Sequence, residues 1–339
     1  MTEKKTKIGI IGLGMIGGSI ALALRGTSDV YGYDTDAGTC AYAEEHGFCR
    51  IAEIADMKDF DVVFVCVPLA VMGEVLGGLS DKVGNAIITD VASVKMPYEK
   101  TRGRYVGGHP MAGTENGGIM SAKPHLFQNA YWIITGYGES AERVGEVVRS
   151  MGAIPITMSA EDHDRAVSVF SHVPHAVAYA LTAAAIDASV SPIAGSGFLD
   201  TTRIAKSDEK FWTEVFSLNA KNVTDGIKSV VGELNAVREM IERGDRIGLC
   251  DYLGTTRQKR AALGKVDLGG EALYVDLVDR VGEFERITGA IARAGINLKN
   301  IALVPGREGA NGALRLEFAD QNDMIKAKAV LGEEETWQE

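Results

Sequence analysis

The 339-residue chain is poor in features that mark several classes of protein. Its four cysteines lie far apart, which argues against both a disulfide scaffold and a zinc site of ordinary cysteine spacing. Its formal net charge is -11, and no run of Lys and Arg follows the first few residues, which argues against nucleic acid as a partner. We therefore expect reduced thiols, a cytoplasmic location and no bound metal or nucleic acid.

Long hydrophobic runs are also scarce. The apolar stretch from Ile8 to Leu24 follows several lysines, as in a signal peptide, but its five glycines would weaken a hydrophobic helix. No other segment is long and apolar enough to cross a bilayer. We therefore expect no membrane contact and interpret the stretch as a strand, a tight turn and the start of a helix.

The length exceeds what one hydrophobic core usually organises. The pattern of apolar residues predicts a Rossmann-type doubly wound α/β domain in residues 1–158. An all-α domain for substrate binding and dimerisation follows in residues 159–265, and a small α+β domain in residues 266–339.

The first domain opens with a dinucleotide-binding pattern. A strand, a Gly-x-Gly-x-x-Gly turn, a helix from Ser19 and a second strand precede Asp34, about twenty positions beyond the glycines. Asp34 is where this pattern puts the acceptor for ribose hydroxyls, although a helix cap is another common use of such an aspartate. An acidic residue would repel a 2′-phosphate, so NAD is favoured over NADP. The expected contacts are Gly12, Gly14, Met15, Ile16, Gly17, Asp34 and Pro68.

Three further segments should meet at one edge of the sheet. Pro68, residues 90–95 and His109 each follow or end an apolar run, and ligands of doubly wound sheets collect at the carboxyl ends of strands. Strands expected over 61–68, 85–89 and 131–135 all read as parallel and covered on both faces. His109 lies among glycines and suits proton transfer near neutral pH, although a solvated turn histidine has the same pattern. Ser93 either fixes the tautomer of His109 or caps a helix before Val94.

The second half is helical over 161–188 and 211–262. Its long apolar faces favour a homodimer, with a single-chain bundle as the alternative. Of His172 and His175, one should line a substrate site and the other should be structural. Arg203 is either a bidentate clamp for a carboxylate or a solvated arginine.

A linker over 264–270 precedes strands expected at 272–278, 296–304 and 312–318, and helices at 282–294 and 320–331. A βαββα unit of this kind is a ligand-binding or interaction module, or a packing appendage.

Five sequence blocks, in this order, resemble the prephenate dehydrogenase family of tyrosine biosynthesis, which includes arogenate-using relatives. The blocks are Gly12-Leu13-Gly14-Met15-Ile16-Gly17-Gly18-Ser19, Thr89-Asp90-Val91-Ala92-Ser93-Val94-Lys95, His109-Pro110-Met111-Ala112-Gly113-Thr114-Glu115, Ser171-His172-Val173-Pro174-His175-Ala176 and Thr202-Arg203-Ile204-Ala205.

The resemblance implies NAD-dependent oxidation and decarboxylation of a cyclohexadienyl substrate, prephenate or arogenate. His109 resembles the family's base, Ser93 its orienting partner and Arg203 its carboxylate-binding arginine. The residues that resemble the rest of the substrate pocket are His175, Thr114 and Glu115.

The last segment resembles an ACT-type regulatory domain. The resemblance implies an amino-acid effector, tyrosine first, bound at an interface near Gly282 and Asn297. Family members often have proline where this chain has Val281. The valine would make the loop before Gly282 less stiff than a proline would.

Two other functions compete with this one. A hydroxy-acid dehydrogenase of a related group would use a lysine for proton transfer, for which Lys221 beside Asn222 is the candidate. A non-catalytic sensor would bind NAD and an amino acid, and would have no need of His109, Ser93 and Arg203 together.

Overall fold

The computed structural model describes residues 5–113, 117–185, 194–262, 272–278, 280–304, 312–332 and 336–337. The chain divides into two compact units, residues 1–238 and 239–339. The three-domain division expected from the sequence stays a prediction.

The first unit is organised around one sheet. Its strands are β1 (Lys7–Ile11), β2 (Asp29–Tyr33), β3 (Arg50–Ile51), β4 (Val62–Val65), β5 (Ile87–Asp90), β6 (Arg104–Pro110), β7 (Tyr131–Thr135) and β8 (Ile154–Met158). They lie in the order β3-β2-β1-β4-β5-β6-β7-β8. The first six strands are parallel, and β1 lies between β2 and β4, where the strand order reverses. This is the predicted Rossmann-type order, with its ligand crevice at the carboxyl ends of the strands.

The inner strands are buried on both faces, as is usual for strands of a parallel sheet. All four residues of both β4 and β5 are buried, as expected for strands with helices on both faces. The helices of this unit are α1 (Met15–Leu24), α2 (Ala37–Glu45), α3 (Leu69–Val83), α4 (Glu139–Ser150), α5 (Ala160–Val167), α6 (Val173–Ala184), α7 (Ser196–Thr202), α8 (Glu209–Leu218) and α9 (Ala220–Glu242), the last of which crosses into the second unit. Helix α1 begins at Met15, inside the glycine turn and earlier than the expected Ser19.

The expected parallel direction of β7 was wrong. Strand β7 runs antiparallel to β6, and β8 then runs parallel to β7. A parallel connection needs a crossover, usually a helix, whereas the described part of the chain between Pro110 and Tyr131 contains only the short turn Ile119–Ser121. The return strand β7 therefore starts at the edge where β6 ends.

The helical region contains one irregular turn. A five-residue π-helical segment, Ser168–His172, joins α5 to α6 and interrupts the continuous helix expected there. Helix α5 is capped by the preceding residue, Ser159, whose hydroxyl accepts the amide hydrogen of Asp162 at 3.0 Å. In the part of the chain that the structure describes, every helix is too short or too polar to span a bilayer.

The second unit has α10 (Arg246–Ala262) and a small antiparallel sheet. The sheet and its helices are β9 (Ala272–Leu277), α11 (Glu283–Arg293), β10 (Leu298–Val304), β11 (Gly312–Phe318), α12 (Gln321–Leu331) and β12 (Thr336–Trp337). The strand order is β10-β11-β9-β12, and the core includes Val275, Ile287 and Phe318. The sequence did not predict β12, because two residues in an acidic tail are too few to form an alternating pattern. The unit is βαββαβ, one strand longer than expected.

A buried ion pair ties the ends of β5 and β6 together. The Lys95 ammonium contacts the Asp90 carboxylate and donates to the carbonyl of Gly108 at 2.5 Å. The same carboxylate accepts hydrogen bonds from the Tyr105 hydroxyl and from the Ala92 amide. Both charged side chains are fully buried, so the pair fixes the segment after β5 against the strand that carries His109.

Replacement of Lys95 should destabilise the protein strongly. Lys95→Met keeps most of the apolar stem but leaves the Asp90 carboxylate buried without its counter-charge, so we expect the free energy of unfolding to fall by about 3–5 kcal/mol. Urea denaturation measures the change. The matched control is Lys82→Met on the exposed surface of α3, which should change stability by less than about 0.5 kcal/mol. The double variant Asp90→Asn/Lys95→Met should recover part of the loss, and equal stability of Lys95→Met and the control would contradict the assignment.

Candidate active site

The glycine turn after β1 has the shape that a dinucleotide phosphate needs. Gly12 adopts φ +94° and donates its amide hydrogen to Tyr33 at 2.8 Å, and a Cβ there would lie 2.6 Å from the Cys66 carbonyl oxygen. A Cβ on Gly17 would lie 2.0 Å from the carbonyl oxygen of Gly12. At Gly14, by contrast, no described atom comes within 4 Å of such a Cβ. Two glycines thus permit tight backbone packing, and the third leaves the cradle open.

The remaining expected cofactor residues border this turn. The Asp34 carboxylate accepts the amide hydrogens of Leu13 at 2.7 Å and of Asp36 at 2.9 Å, which links the end of β2 to the glycine turn. Asp36, not Asp34, caps α2 by accepting from Thr39. Met15 and Ile16 begin α1, and Pro68 lies between β4 and α3, directly before the first residue of that helix. The arrangement fits a dinucleotide, because each Asp34 oxygen keeps a lone pair for a ribose hydroxyl.

His109 lies near the end of β6 in a partly buried position, so it is not a solvated turn histidine. Its Nδ1 forms a hydrogen bond to Nε2 of His163 at 2.8 Å, and the two rings meet edge to face. Burial holds the pKa of His109 well below its usual 6.5, and His163, Lys95 and His172 lower it further. The imidazole is therefore neutral and able to accept a proton at neutral pH.

The expected contact between Ser93 and His109 is not formed. The Ser93 hydroxyl oxygen is buried and has no hydrogen-bond partner among the described residues. Nor does Ser93 cap a helix, since Lys95 precedes the next turn, Met96–Tyr98. The residue that contacts Nδ1 of His109 is instead His163, which lies on α5. The role of Ser93 in catalysis stays a prediction.

His163 and Asp164 are site residues that the sequence analysis missed. Both are buried on α5, and Nδ1 of His163 lies 2.7 Å from Oδ1 of Asp164. The Asp164 carboxylate also accepts the amide hydrogens of Lys95 at 2.7 Å and Met96 at 2.9 Å. A signal was available, because positions 160, 163, 164 and 167 form one buried helical face, while the polar residues between them are exposed.

His172, the first of the two histidines near α6, is buried and forms its contacts within the protein. Nδ2 of Asn219 donates to the carbonyl of Asp164 at 2.8 Å and lies 3.2 Å from Nδ1 of His172. Burial lowers the pKa of His172 to about 4, against a smaller opposing effect of Asp164. His172 is thus a neutral, buried acceptor.

The substrate-binding candidates on the helices lie close together. His175 stacks on the buried Trp212 ring with 3.5 Å between centroids, and its Nδ1 donates to the Ser171 carbonyl at 2.9 Å. Burial lowers the pKa of His175, and the positive charge of Arg203 lowers it further, so these two side chains share one electrostatic environment. Arg203 itself is exposed in the turn after α7.

Two other expected substrate contacts, Thr114 and Glu115, lie outside the described residues. Within the residues that the structure describes, no group of three or more His, Cys, Asp or Glu side chains is arranged to hold a metal ion. The lysine of the competing mechanism, Lys221, has an 88% exposed side chain and pairs with Asp225 on the surface of α9. That position does not suit proton transfer in a crevice.

The two effector residues are not brought together within one chain. Gly282 precedes α11 with φ +88°, whereas the exposed Asn297 lies beyond the other end of the same helix. A helix of 11 residues is about 16 Å long. One small amino acid therefore cannot touch both residues of a single copy, and a shared site would need a second copy.

The chain is similar in sequence to known domains and proteins. Residues 20–154 match the nucleotide-binding domain of prephenate dehydrogenase, and residues 159–255 match its dimerization domain. Prephenate dehydrogenase of Bacillus subtilis (strain 168) is 31% identical over an alignment 362 positions long, gaps included, which covers 98% of this chain and 97% of that protein. Cyclohexadienyl dehydrogenase of Zymomonas mobilis is 30% identical over 76% of this chain and 95% of that protein.

Solved structures are similar as well. The crystal structure of prephenate dehydrogenase from A. aeolicus, in complex with hydroxyphenyl propionate and NAD+, superposes with a TM-score of 0.70 at 32% identity, covering 78% of this chain and all of that one. Arogenate dehydrogenase of Synechocystis gives a TM-score of 0.69 at 28% identity, covering 76% of this chain and 99% of that one. With a curated relative matched at this identity over nearly its whole length, the chain belongs to the prephenate dehydrogenase family.

Proposed function

We propose that the chain catalyses the NAD-dependent oxidative decarboxylation of prephenate to 4-hydroxyphenylpyruvate in tyrosine biosynthesis. The observation that carries the proposal is a neutral, partly buried histidine, His109, at the strand edge that also holds the open glycine turn. The activities for which the relatives are named agree with it.

The chain's own residues account for cofactor binding. Gly12, Gly14 and Gly17 would let the pyrophosphate approach the backbone, and Asp34 would accept the ribose hydroxyls. When bound, NAD supplies a hydride acceptor for the ring carbon that carries the substrate hydroxyl. Because Asp34 would repel a 2′-phosphate, NAD should be preferred to NADP.

His109 would act as the base. Its neutral ring takes the proton of the ring 4-hydroxyl as hydride leaves the same carbon. The carbonyl that forms makes loss of the ring carboxylate as carbon dioxide favourable, because the ring becomes aromatic. Ser93, whose buried hydroxyl lacks a partner among the described residues, is available to bind the same substrate hydroxyl.

Arg203 would hold the acidic end of the substrate, with His175 beside it. Arg203 offers a planar set of donors that matches a carboxylate, and the stacked His175 is oriented by Trp212 and by the Ser171 carbonyl. Thr114 and Glu115 are proposed to complete the pocket by resemblance.

A specific feature favours arogenate as a second candidate substrate. Because Nδ1 of His175 donates to a carbonyl and burial lowers its pKa, Nε2 of the neutral ring is an acceptor. An acceptor suits the ammonium group of arogenate, whereas the keto group of prephenate would need a donor.

The test is NADH formation with NAD or NADP and with prephenate or arogenate, each with and without tyrosine. Turnover of prephenate with NAD supports the proposal, and faster turnover of arogenate supports the second candidate. Cofactor binding without turnover of either substrate would favour a non-catalytic sensor.

The last unit is proposed as an ACT-like regulatory module. Its βαββαβ order supports this, and positions Gly282 and Asn297 could meet across two copies in a homodimer. Regulation through this unit predicts that added tyrosine lowers turnover of the unmodified protein. Gly282→Ala should keep the basal turnover but no longer respond to tyrosine.

His109→Asn should abolish turnover. We expect kcat to fall by about 10²–10⁴-fold with NAD affinity unchanged, because the asparagine cannot accept the proton. The matched control is Lys221→Ala on exposed α9, which should leave kcat unchanged. In the unmodified protein, kcat/KM should stay constant as the pH falls through 6.5 and decline only at lower pH, because the pKa of free His109 is lowered. Near-normal kcat in His109→Asn, or loss of kcat in Lys221→Ala, would remove His109 as the base.

Arg203→Ala should mainly raise KM. The arginine contributes binding to both the ground state and the transition state, so its loss weakens the substrate complex by about 1–3 kcal/mol with a smaller change in kcat. Steady-state kinetics with varied prephenate measures both constants. An unchanged KM would exclude Arg203 from the site.

A further inference from the structure

Asp164 is the fixed end of a chain of hydrogen bonds that reaches His109. Its Oδ1 accepts from the Lys95 amide and its Oδ2 from the Met96 amide, so both oxygens are held by the segment that follows β5. Its own carbonyl accepts from Asn219. With every one of these contacts made, the carboxylate cannot turn without breaking backbone hydrogen bonds.

This carboxylate determines which nitrogen of His163 carries the proton. An ionised aspartate can only accept, so Nδ1 of His163, 2.7 Å from Oδ1, must donate. Burial lowers the pKa of His163, against an opposing effect of the Asp164 hydrogen bond, so the ring is neutral. The lone pair of His163 therefore lies on Nε2.

The same reasoning continues to His109. A hydrogen bond between two imidazole nitrogens contains one proton, and Nε2 of His163 is the acceptor, so Nδ1 of His109 is the donor. A neutral His109 protonated on Nδ1 has its lone pair on Nε2. Of the described residues, none forms a hydrogen bond with that Nε2.

We propose that the pair Asp164 and His163 positions His109 for the reaction, by fixing the tautomer in which Nε2 is the base and by accepting the hydrogen bond of the imidazolium that forms. The inference rests on the proposed role of His109 as the base. His163 and Asp164 are positioning residues, because neither needs to touch the substrate.

The proton balance of the step is simple. The O–H bond of the substrate hydroxyl breaks, its proton goes to Nε2 of His109, and the oxygen becomes a carbonyl as hydride leaves the carbon. The new positive charge is shared with Nδ1–H, which already donates to His163, and the His163 ring in turn donates to the Asp164 carboxylate. No side chain must rotate during the step.

Other charged and titratable groups surround the pair. Lys95, from the segment after β5, and His172, from the π-helical segment, both act on His109 and both oppose its protonation. His163 is exposed to the opposite influences of Lys95 on one side and of Asp164 and Asp90 on the other. Asp164 and Asp90 both favour a positive charge on His163, so the hydrogen bond to His163 connects His109 to these two carboxylates.

The protonation pattern can be observed without substrate. In protein labelled with ¹⁵N-histidine, which has six histidines, the ring signals of His109 and His163 are assigned by comparison with variants lacking each ring. We expect a protonated Nδ1 and an unprotonated Nε2 on both rings at neutral pH. A His109 ring protonated on Nε2, or a His163 ring without a proton on Nδ1, would overturn the inference.

The kinetic test compares two replacements of His163. His163→Leu removes the acceptor, and we expect kcat to fall by about 10²-fold while NAD affinity and KM stay within about two-fold. In His163→Gln the amide oxygen can accept from Nδ1 of His109, and we expect it to recover about ten-fold of that loss. The matched control is His125→Gln on an exposed histidine, which should leave kcat unchanged.

These outcomes separate the inference from the proposed function. If His163→Leu turns over as fast as the His125→Gln control, or if the leucine and glutamine variants are equally impaired, the positioning role is wrong. If His163→Leu does not fold, the glutamine variant and the spectrum of the unmodified protein still decide the question. Lack of turnover in the unmodified protein on either cyclohexadienyl substrate would refute the proposed function but not the tautomer, which the spectrum tests by itself.

Discussion

The carboxylate of Asp164 connects the parts of the first unit on which the site depends. It accepts two backbone amide hydrogens from the segment after β5 and one ring hydrogen from His163, while its carbonyl holds Asn219 at the start of α9. A surface carboxylate that lost such contacts could form hydrogen bonds to water instead. A buried carboxylate could not, so breaking the contacts would destabilise the fold by its full desolvation penalty. One side chain on α5 therefore sets the position of the loop that carries Ser93 relative to the strand that carries His109.

Burial has a second effect, on charge. Desolvation lowers the pKa of His109, His163 and His172 alike, so three neighbouring imidazoles are neutral together near pH 7. Three cations at this spacing would repel one another, and three neutral rings can instead be ordered by single hydrogen bonds. The buried pair of Lys95 and Asp90 lies close by, and the positive charge of Lys95 lowers the pKa of His109 further. The site can thus hold a base in its reactive form without any nearby acid to protonate it.

Much of this architecture could be predicted from local pattern. The glycine turn, Asp34, the buried strands and the small terminal sheet all follow from periodicity and spacing, which depend on residues near one another in sequence. The direction of β7 and the two-residue strand β12 did not, because each is decided by contacts with distant strands. The partner of His109 was missed for the same reason: His163 is 54 positions away and was considered only as part of a helix. The sequence identified His109 as the candidate base, and the tertiary structure supplied the residue that contacts its Nδ1.

The π-helical segment Ser168–His172 determines which way the side chains of α6, the helix that follows it, face around the helix axis. In a regular α-helix, at about 100° per residue, His172 would point to the face opposite His163. The one extra residue that a π-helical turn accommodates shifts this phase by about 100°, which brings the two rings to within roughly 80° of a common face and carries His175 round with them. Loss of a single residue from this segment would therefore rotate α6 away from the crevice, even if every side chain of the site were retained. Chain length at this point constrains the protein as strictly as the identity of His109, the proposed base.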